Sequence, residues 1–214
     1  MIMLNYPQGS GAWAQARLGI PTASRFDQIL TPKTMKLSDS SKKLMWELLA
    51  EQVLGVPMDG ASSGFMQRGE VLEKHAVDYY EMQRGVDTEP GGVILTDDRR
   101  AGCSPDRIVG LDGLLEIKCP SPANHIGYML DPLGIGYRCQ VQGQLWVAER
   151  EWVDTISYHP EMPTVLVRQV RDEAFIKALA AAVHQFNEMI EDSKALLKKL
   201  GYFPDLDVPD LKIA

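Results

Sequence analysis

The chain has 214 residues, of which 45% are hydrophobic and 24% are charged, a composition typical of a globular domain with a substantial core. No apolar run approaches the roughly 20 residues that a membrane span requires, and the first residues do not form a secretory signal. We therefore expect a single cytoplasmic domain. The net charge of −7 argues mildly against a nucleic-acid partner, although a basic groove can lie on an acidic protein.

The three cysteines are far apart, and the four histidines form no paired motif. Cys103, Cys119 and Cys139 are odd in number and lack the CxxC spacing of a zinc site. We therefore expect buried or half-buried thiols, with neither a disulfide framework nor a zinc centre.

The first 84 residues show helical patterns. Thr22 is a candidate N-cap for a helix over 23–30, which ends before Pro32. A second helix is predicted to follow Ser41 and to end at Gly55, and a third to run from about 68 to 83. The polar and glycine-containing segment 59–64 between them is predicted to be a mobile loop.

From residue 92 onward the pattern changes to short strands between helices. Strands are expected at 92–96, 103–109, 114–119, 152–158 and 164–170, with helices at about 135–148 and 172–200. This order predicts an α/β fold in which a central mixed sheet has helices on both faces. We divide the single domain into N-terminal helices (1–84), a core (85–170), and a C-terminal helix and tail (171–214).

The residues that indicate chemistry lie on the predicted hairpin over 103–119. Because side chains alternate along a strand, Glu116 and Lys118 share one face, while Leu115 and Ile117 point to the other. The antiparallel neighbour strand brings Asp106 beside that same face. A Glu-x-Lys pair is also typical of a solvated sheet face with an ion pair, but helices on both sides would bury these charges, and buried charges are paired or bind metal.

Two carboxylates and an ammonium group suit phosphodiester hydrolysis. Mg²⁺ prefers oxygen ligands, so Asp106, Glu116 and the backbone carbonyl of Ile117 are its candidate ligands. Lys118 would orient or deprotonate the attacking water and offset charge at the phosphate. We expect Mn²⁺ to substitute for Mg²⁺.

The Asp-(x)n-Glu-x-Lys pattern resembles the PD-(D/E)-x-K nuclease superfamily. Further segments in the same order resemble the phage lambda exonuclease and YqaJ-type viral recombinase family. The five segments are Trp13–Ser24, Arg68–Glu73, Cys103–Asp106, Leu115–Pro120 and Tyr137–Trp146. The resemblance implies the PD-(D/E)-x-K core, that is, a central mixed sheet flanked by helices.

The resemblance also implies residue roles that the pattern alone leaves open. On its own, Glu73 fits a helix surface at least as well as a site; the family places a metal-binding Glu here, with Glu70 as the rival position. Arg17, Thr22 and Ser24 correspond to a pocket for a 5′-terminal phosphate, although Thr22 could simply cap a helix. The last two implied DNA-binding residues are Gln140, the better match to a phosphate-contacting Gln, and Gln144 one turn later.

The implied activity is 5′→3′ exonuclease digestion of double-stranded DNA from a 5′-phosphorylated end, which leaves a 3′ single strand for phage-type recombination. The family further implies a ring-shaped homotrimer and a single-strand annealing protein as partner. Three alternatives stay open: an endonuclease of restriction or repair type, a non-catalytic DNA-binding assembly protein on the same fold, and a hydrolase of small phosphoesters. Relatives with iron–sulfur clusters are disfavoured because cluster ligation normally takes four cysteines.

Overall fold

The structure is a computed structural model that describes residues 1–58, 64–132, 134 and 137–202, without the side chains of residues 64–71. The strands and helices follow one another along the chain without any repeat. In order they are β1 (Ile2–Leu4), α1 (Gly11–Ala16), a 3₁₀ helix (Ala23–Gln28), β2 (Leu30–Thr31), β3 (Lys36–Leu37), α2 (Ser41–Leu54), α3 (Gly64–Arg84), β4 (Glu89–Pro90), β5 (Val93–Leu95), β6 (Gly102–Cys103), β7 (Arg107–Val109), β8 (Gly113–Lys118), α4 (Pro122–Leu130), α5 (Arg138–Val147), β9 (Trp152–Ser157), β10 (Val165–Val170) and α6 (Glu173–Lys199).

A mixed sheet lies at the centre of the fold, with the strand order β10-β9-β8-β7-β4. Strands β8 and β9 run parallel, and every other neighbouring pair in this sheet is antiparallel. The parallel register sets Glu116 beside Thr155 and Lys118 beside Ser157. The predicted central mixed sheet is confirmed.

Hydrophobic residues pack against both faces of this sheet. On one face, Leu114 and Val153 belong to the larger core, which includes Leu145 of α5 and residues of α2 and α6. On the other face, Leu115 and Ile117 pack with residues of α3. Helices therefore cover both faces, as predicted, and Glu116 emerges beneath α5 rather than into open solvent.

A second sheet connects the N-terminal segment to the start of the β7–β8 hairpin. Its order is β1-β5-β6, with antiparallel pairing throughout. Thr22 forms an isolated parallel bridge with Gly102, whose backbone N–H donates to the Pro21 carbonyl at 3.0 Å. Because β6 leads directly into Ser104-Pro105-Asp106, the N-terminal segment lies beside the start of the hairpin.

Several boundaries differ from the sequence prediction. The helix after Thr22 is a 3₁₀ helix over Ala23–Gln28. Thr22 is its N-cap residue, but the Thr22 side chain makes no capping hydrogen bond. The predicted strand 103–109 is two strands, because the chain turns at Ser104–Asp106. The third helix begins at Gly64 rather than 68, and the predicted loop, apart from Gly64, lies outside the described residues.

Helix α4 was not predicted, because Pro120 and Pro122 appeared only as strand breakers. Pro122 occupies the first turn of α4, where a backbone N–H has no helical partner in any case. The later predicted helix, 135–148, is observed over Arg138–Val147. In the part of the chain that the structure describes, no helix combines the length and apolarity that a membrane span would need.

Candidate active site

The turn before β7 presents Asp106 to the neighbouring strand. Its Oδ2 accepts a hydrogen bond of 2.5 Å from the backbone N–H of Ile117. On the other side of the turn, the N–H of Gly91 donates to the Asp106 carbonyl at 3.2 Å. A Cβ atom on Gly91 would overlap the Pro105 carbonyl, so this close approach requires glycine and fixes the backbone that carries Asp106.

Glu116 lies at the middle of the site, only 5% exposed. Its Oε1 accepts hydrogen bonds from Lys118 Nζ at 2.7 Å and from Gln140 Nε2 at 2.6 Å. Its Oε2 accepts one from Gln144 Nε2 at 2.6 Å. Helix α5 therefore holds the carboxylate through two amides one helical turn apart, which fixes its orientation.

Lys118 forms an ion pair with Glu116, and its ammonium group lies between Glu116 and Gln140 of helix α5. Its Nζ lies 3.3 Å from Gln140 Oε1 and 5.0 Å from the centre of the Tyr137 ring. Burial lowers the pKa of Lys118, but attraction to Glu116, the hydrogen bond to it, and the charge of Asp106 outweigh burial, so the pKa is raised. The ammonium form is therefore the resting state of Lys118.

The charge balance at Asp106 is unfavourable. Burial first, and then the negative charge of Glu116, raise the pKa of Asp106 well above its usual value, against the hydrogen bond from Ile117. The charge of Glu73, a half-buried residue of α3, raises it further. Glu73 is therefore close enough to interact with the hairpin carboxylates, whereas the side chain of Glu70 is outside the described residues.

Carboxylate oxygens crowded in an enclosed place suit a hard divalent cation. Within the described ranges, no three His, Cys, Asp or Glu side chains lie close enough together to hold a metal ion. The donor chemistry nevertheless fits Mg²⁺, which prefers oxygen ligands. The negative charges of Glu116 and Glu73 both act on Asp106. The backbone carbonyl of Ile117, next to Glu116 in β8, is a further oxygen donor. A cation would remove the repulsion that raises the pKa of Asp106.

Cys103 is within electrostatic reach of both Arg17 and Glu116. Burial raises the pKa of the Cys103 thiol, the charge of Glu116 raises it further, and the charge of Arg17 lowers it. The charges of Arg17 and Glu116 therefore both act on one thiol. The Arg17 guanidinium itself stacks 4.0 Å from the centre of the Trp13 ring.

The hydroxyl groups of the predicted phosphate pocket lie in the segment beside β6. Thr22 is buried and Ser24 is exposed, and their hydroxyl oxygens lie 3.2 Å apart. Helix α5 packs closely against the 3₁₀ helix at Gly143, where the absence of a side chain leaves room for the Phe26 ring. The segment 22–28 and the amides of α5 are therefore held together by direct packing.

Two findings at this site were not anticipated. Gln144 is only 1% exposed and bonds to Glu116, which places it behind the carboxylate rather than at the protein surface. Ser104 was not singled out, yet its hydroxyl is buried without a hydrogen-bond partner among the described residues. Its position between Cys103 and Pro105, two residues before Asp106, was the only signal in the sequence.

Comparison with known proteins agrees with this geometry. The profile of the YqaJ-like viral recombinase domain family matches residues 12–151. The crystal structure of an alkaline exonuclease (LHK-Exo) from Laribacter hongkongensis is similar, with 32% identity over 90% of this chain and 98% of that chain, and a TM-score of 0.80. The same exonuclease in complex with dAMP has the same identity and coverage and a TM-score of 0.81.

A phage-related exonuclease from Haemophilus somnus 129PT is similar in fold, with 15% identity, a TM-score of 0.62, and coverage of 90% of this chain and 97% of that chain. A search of curated proteins finds no match. The family profile spans well over half of the chain and contains every candidate site residue from Arg17 to Gln144. The chain therefore belongs to the family of YqaJ-like viral recombinase domains.

Proposed function

We propose that this nuclease of the lambda exonuclease type digests one strand of double-stranded DNA in the 5′→3′ direction, from a 5′-phosphorylated end. The product is a duplex with a 3′ single-stranded overhang. One observation carries the proposal: the Thr22–Gly102 bridge joins the segment of the phosphate pocket to the strand that leads into Asp106, and the charges of Arg17 and Glu116 both act on Cys103 in that strand. The likeness to an alkaline exonuclease supports the same activity.

In this proposal, Asp106, Glu116, Glu73 and the Ile117 carbonyl would hold Mg²⁺, or Mn²⁺ in its place. The bound cation would activate water and offset the charge of the transition state. Asp106 keeps its position through Ile117, and Glu116 keeps its orientation through the α5 amides. Lys118, charged at rest, donates hydrogen bonds to the attacking water and to the scissile phosphate rather than removing a proton first.

The terminal phosphate binds on the Arg17 side of Cys103. The Arg17 guanidinium and the Ser24 hydroxyl are donors there, and Thr22 holds the Ser24 hydroxyl in place. The unpartnered Ser104 hydroxyl supplies a further donor. A DNA end whose phosphate is held at Arg17 and Ser24 presents its first phosphodiester bond to Glu116, so cleavage removes the terminal nucleotide.

Gln140 joins the two halves of the site. Its amide nitrogen donates to Glu116 and its amide oxygen accepts from Lys118. Gln140 is half-buried, so we propose that it exchanges part of this bonding for a DNA phosphate when substrate binds. Gln144 stays behind Glu116, and its part in DNA binding is indirect.

The test compares three forms of one DNA sequence: a linear duplex with 5′-phosphates, the same duplex with 5′-hydroxyls, and a closed circle. We expect rapid nucleotide release from the phosphorylated duplex, slower release from the hydroxyl form, and no cleavage of the circle. Efficient cleavage of the circle would instead indicate an endonuclease. Binding of all three without any cleavage would indicate a DNA-binding assembly protein.

The larger assembly is also part of the proposal. We propose a homotrimer that surrounds the duplex, and a single-strand annealing protein that receives the 3′ overhang in the host cytoplasm. Both rest on the family to which the chain belongs. Light scattering tests the first, since a mass near three times 23.8 kDa is expected. A mass equal to one chain would contradict it.

A further inference from the structure

Glu51 is a buried carboxylate that the catalytic site does not use. It lies in the last turn of α2 and is only 5% exposed. Its Oε2 accepts a 2.8 Å hydrogen bond from the N–H of Gly19, and its Oε1 accepts a 3.0 Å bond from the N–H of Met58. The Arg25 guanidinium lies 4.0 Å from the same Oε1.

The next residue of α2 strengthens this attachment. Gln52 Nε2 donates to the Gly19 carbonyl at 2.9 Å, so helix α2 bonds to both backbone hydrogen-bonding groups of Gly19. Gly19 has a φ of +65°, and a Cβ atom there would overlap the Gln52 side chain. Two side chains of α2 therefore fix a left-handed turn that only glycine can form without strain.

These contacts surround the segment that carries the proposed phosphate pocket. Gly19 comes two residues after Arg17, and Arg25 comes directly after Ser24. Glu51 thus holds the turn at Gly19, which follows Arg17. It also lies beside Arg25, which follows Ser24. The same carboxylate also holds Met58, so the pocket segment and the chain after α2 share a single anchor.

Packing alone does not require a carboxylate at this position. The apolar side of α2 is already formed by Leu44, Leu48 and Leu49, which are buried in the main core. Burying a carboxylate is costly unless its hydrogen bonds are satisfied, and an apolar residue often stabilises such a position better. Two of the contacts of Glu51, those with Gly19 and Arg25, are with the pocket segment. Holding this segment in place is the benefit that offsets the cost of burying the carboxylate.

We propose that Glu51 is a positioning residue for the 5′-terminal phosphate, and that it sets the preference of the enzyme for phosphorylated ends. The inference rests on the proposed function. Glu51 does not touch the DNA; it holds Gly19 and thereby the direction from which Arg17 reaches the phosphate. Its loss affects KM for phosphorylated ends, while kcat at saturation is retained, because the hydrolytic carboxylates are not moved.

The experiment measures kcat/KM on the 5′-phosphorylated and the 5′-hydroxyl duplex for the wild type and for Glu51→Gln. Gly19 and Met58 donate to different oxygens of Glu51, and a glutamine replaces one of these oxygens with an NH₂ group that cannot accept, so one of the two bonds is lost. We expect the ratio of the two kcat/KM values to fall about tenfold, equivalent to ~1.4 kcal/mol, through KM on the phosphorylated duplex. Both substrates meet the same folded molecules, so a partly unfolded variant does not alter the ratio.

Two further variants keep the test decisive. Gln52→Ala removes only the bond to the Gly19 carbonyl, and we expect the ratio to fall about threefold. Asn187→Ala is the control, since it removes a part-buried bond of 2.9 Å from α6 to the Arg100 carbonyl, and this bond involves neither Gly19 nor the side chains of α2 that hold it. It should leave the ratio unchanged.

The outcomes separate the two claims. A wild type that prefers phosphorylated ends, with variants of Glu51 and Gln52 that keep the full ratio, overturns the role of Glu51 and leaves the proposed function intact. A fall in the ratio that Asn187→Ala reproduces also overturns it. A wild type without any preference for phosphorylated ends overturns both claims.

Discussion

The two faces of the β8–β9 pair each enclose a carboxylate, and the two carboxylates are compensated differently. Asp154 of β9 faces α3 and is fully buried. It accepts two bonds of 2.8 Å from Arg168 and one of 2.9 Å from the Tyr80 hydroxyl, and Arg84 lies 3.5 Å away. The chain itself supplies every charge that Asp154 needs.

The hairpin face shows the opposite balance. The hydrogen bond from the Ile117 N–H and the charge of Lys118 lower the pKa of Asp106. Burial and the charges of Glu116 and Glu73 raise this pKa and outweigh them. This comparison teaches that a compensated buried charge is part of the architecture, whereas an under-compensated one prepares the site for a ligand of opposite charge. The predictions below test that difference.

The largest effect is expected for Lys118→Ala. Removing the ammonium group that bonds to Glu116 should lower kcat by at least about 10²-fold, because charge at the scissile phosphate is no longer offset. Binding of phosphorylated duplex in a filter or anisotropy assay should stay close to wild type, since the phosphate pocket is unchanged. Cleavage at the wild-type rate would remove Lys118 from the mechanism.

The same substitution on the two faces should change stability in opposite directions. In EDTA, Asp106→Asn relieves repulsion and should raise Tm by about 2–4 °C for each kcal/mol relieved. Asp154→Asn should cost about 3 kcal/mol, at the low end for a broken buried pair because Arg168 is 45% exposed and can be solvated. Thermal denaturation measures both, and equal destabilisation would refute the comparison.

The stabilisation from Asp106→Asn should depend on pH. The folded-state pKa of Asp106 is raised, so its carboxyl is neutral in the folded protein at low pH and resembles the asparagine amide. The unfavourable contribution appears as pH rises above the ordinary carboxyl pKa and is complete above the raised pKa. The Tm difference between variant and wild type in EDTA should therefore grow with pH; a difference independent of pH would count against this assignment.

Gly91→Ala tests whether the turn beneath Asp106 is a functional feature. The added methyl group would overlap the Pro105 carbonyl and displace Asp106 from Ile117. A shift of this kind should reduce kcat by up to about 10²-fold. Gly127→Ala, on α4 with open space around the added atom, is the control and should keep wild-type activity.

The smallest effect concerns ionic strength. The net charge of −7 opposes DNA binding over most of the surface, so attraction must come from local cations such as Arg17. If about two phosphates are contacted, kcat/KM should fall about tenfold between about 50 and 200 mM salt. A rate that is indifferent to salt would argue against phosphate contacts as the source of affinity.

The parts of this site that follow from local rules were predictable. Alternation along β8 predicted that Glu116 and Lys118 share a face opposite Leu115 and Ile117, and the structure confirms it. The central mixed sheet with helices on both faces was likewise confirmed, because strand and helix periodicities are strong in this chain.

What escaped prediction depends on contacts between distant residues. Gly19 and Glu51 are 32 positions apart, and no periodic pattern reveals that one accepts a hydrogen bond from the other. The burial of Gln144 depends on the packing of α5 over the face of β8 that carries Glu116, which no local pattern reveals. Helix α4 was missed because a proline that ends a strand can also begin a helix.

The polarity of digestion tests the central claim most directly. A duplex strand with a free 5′-phosphate carries one dye, the 5′ dye, on the base of its first nucleotide and another, the 3′ dye, at its 3′ end, and products are sized over time with Mg²⁺. The 5′ dye should appear at once in a fragment of one nucleotide, while the 3′ dye stays in a slowly shortening strand. Early release of the 3′ dye, or of both dyes in fragments of intermediate length, would contradict a 5′-anchored exonuclease.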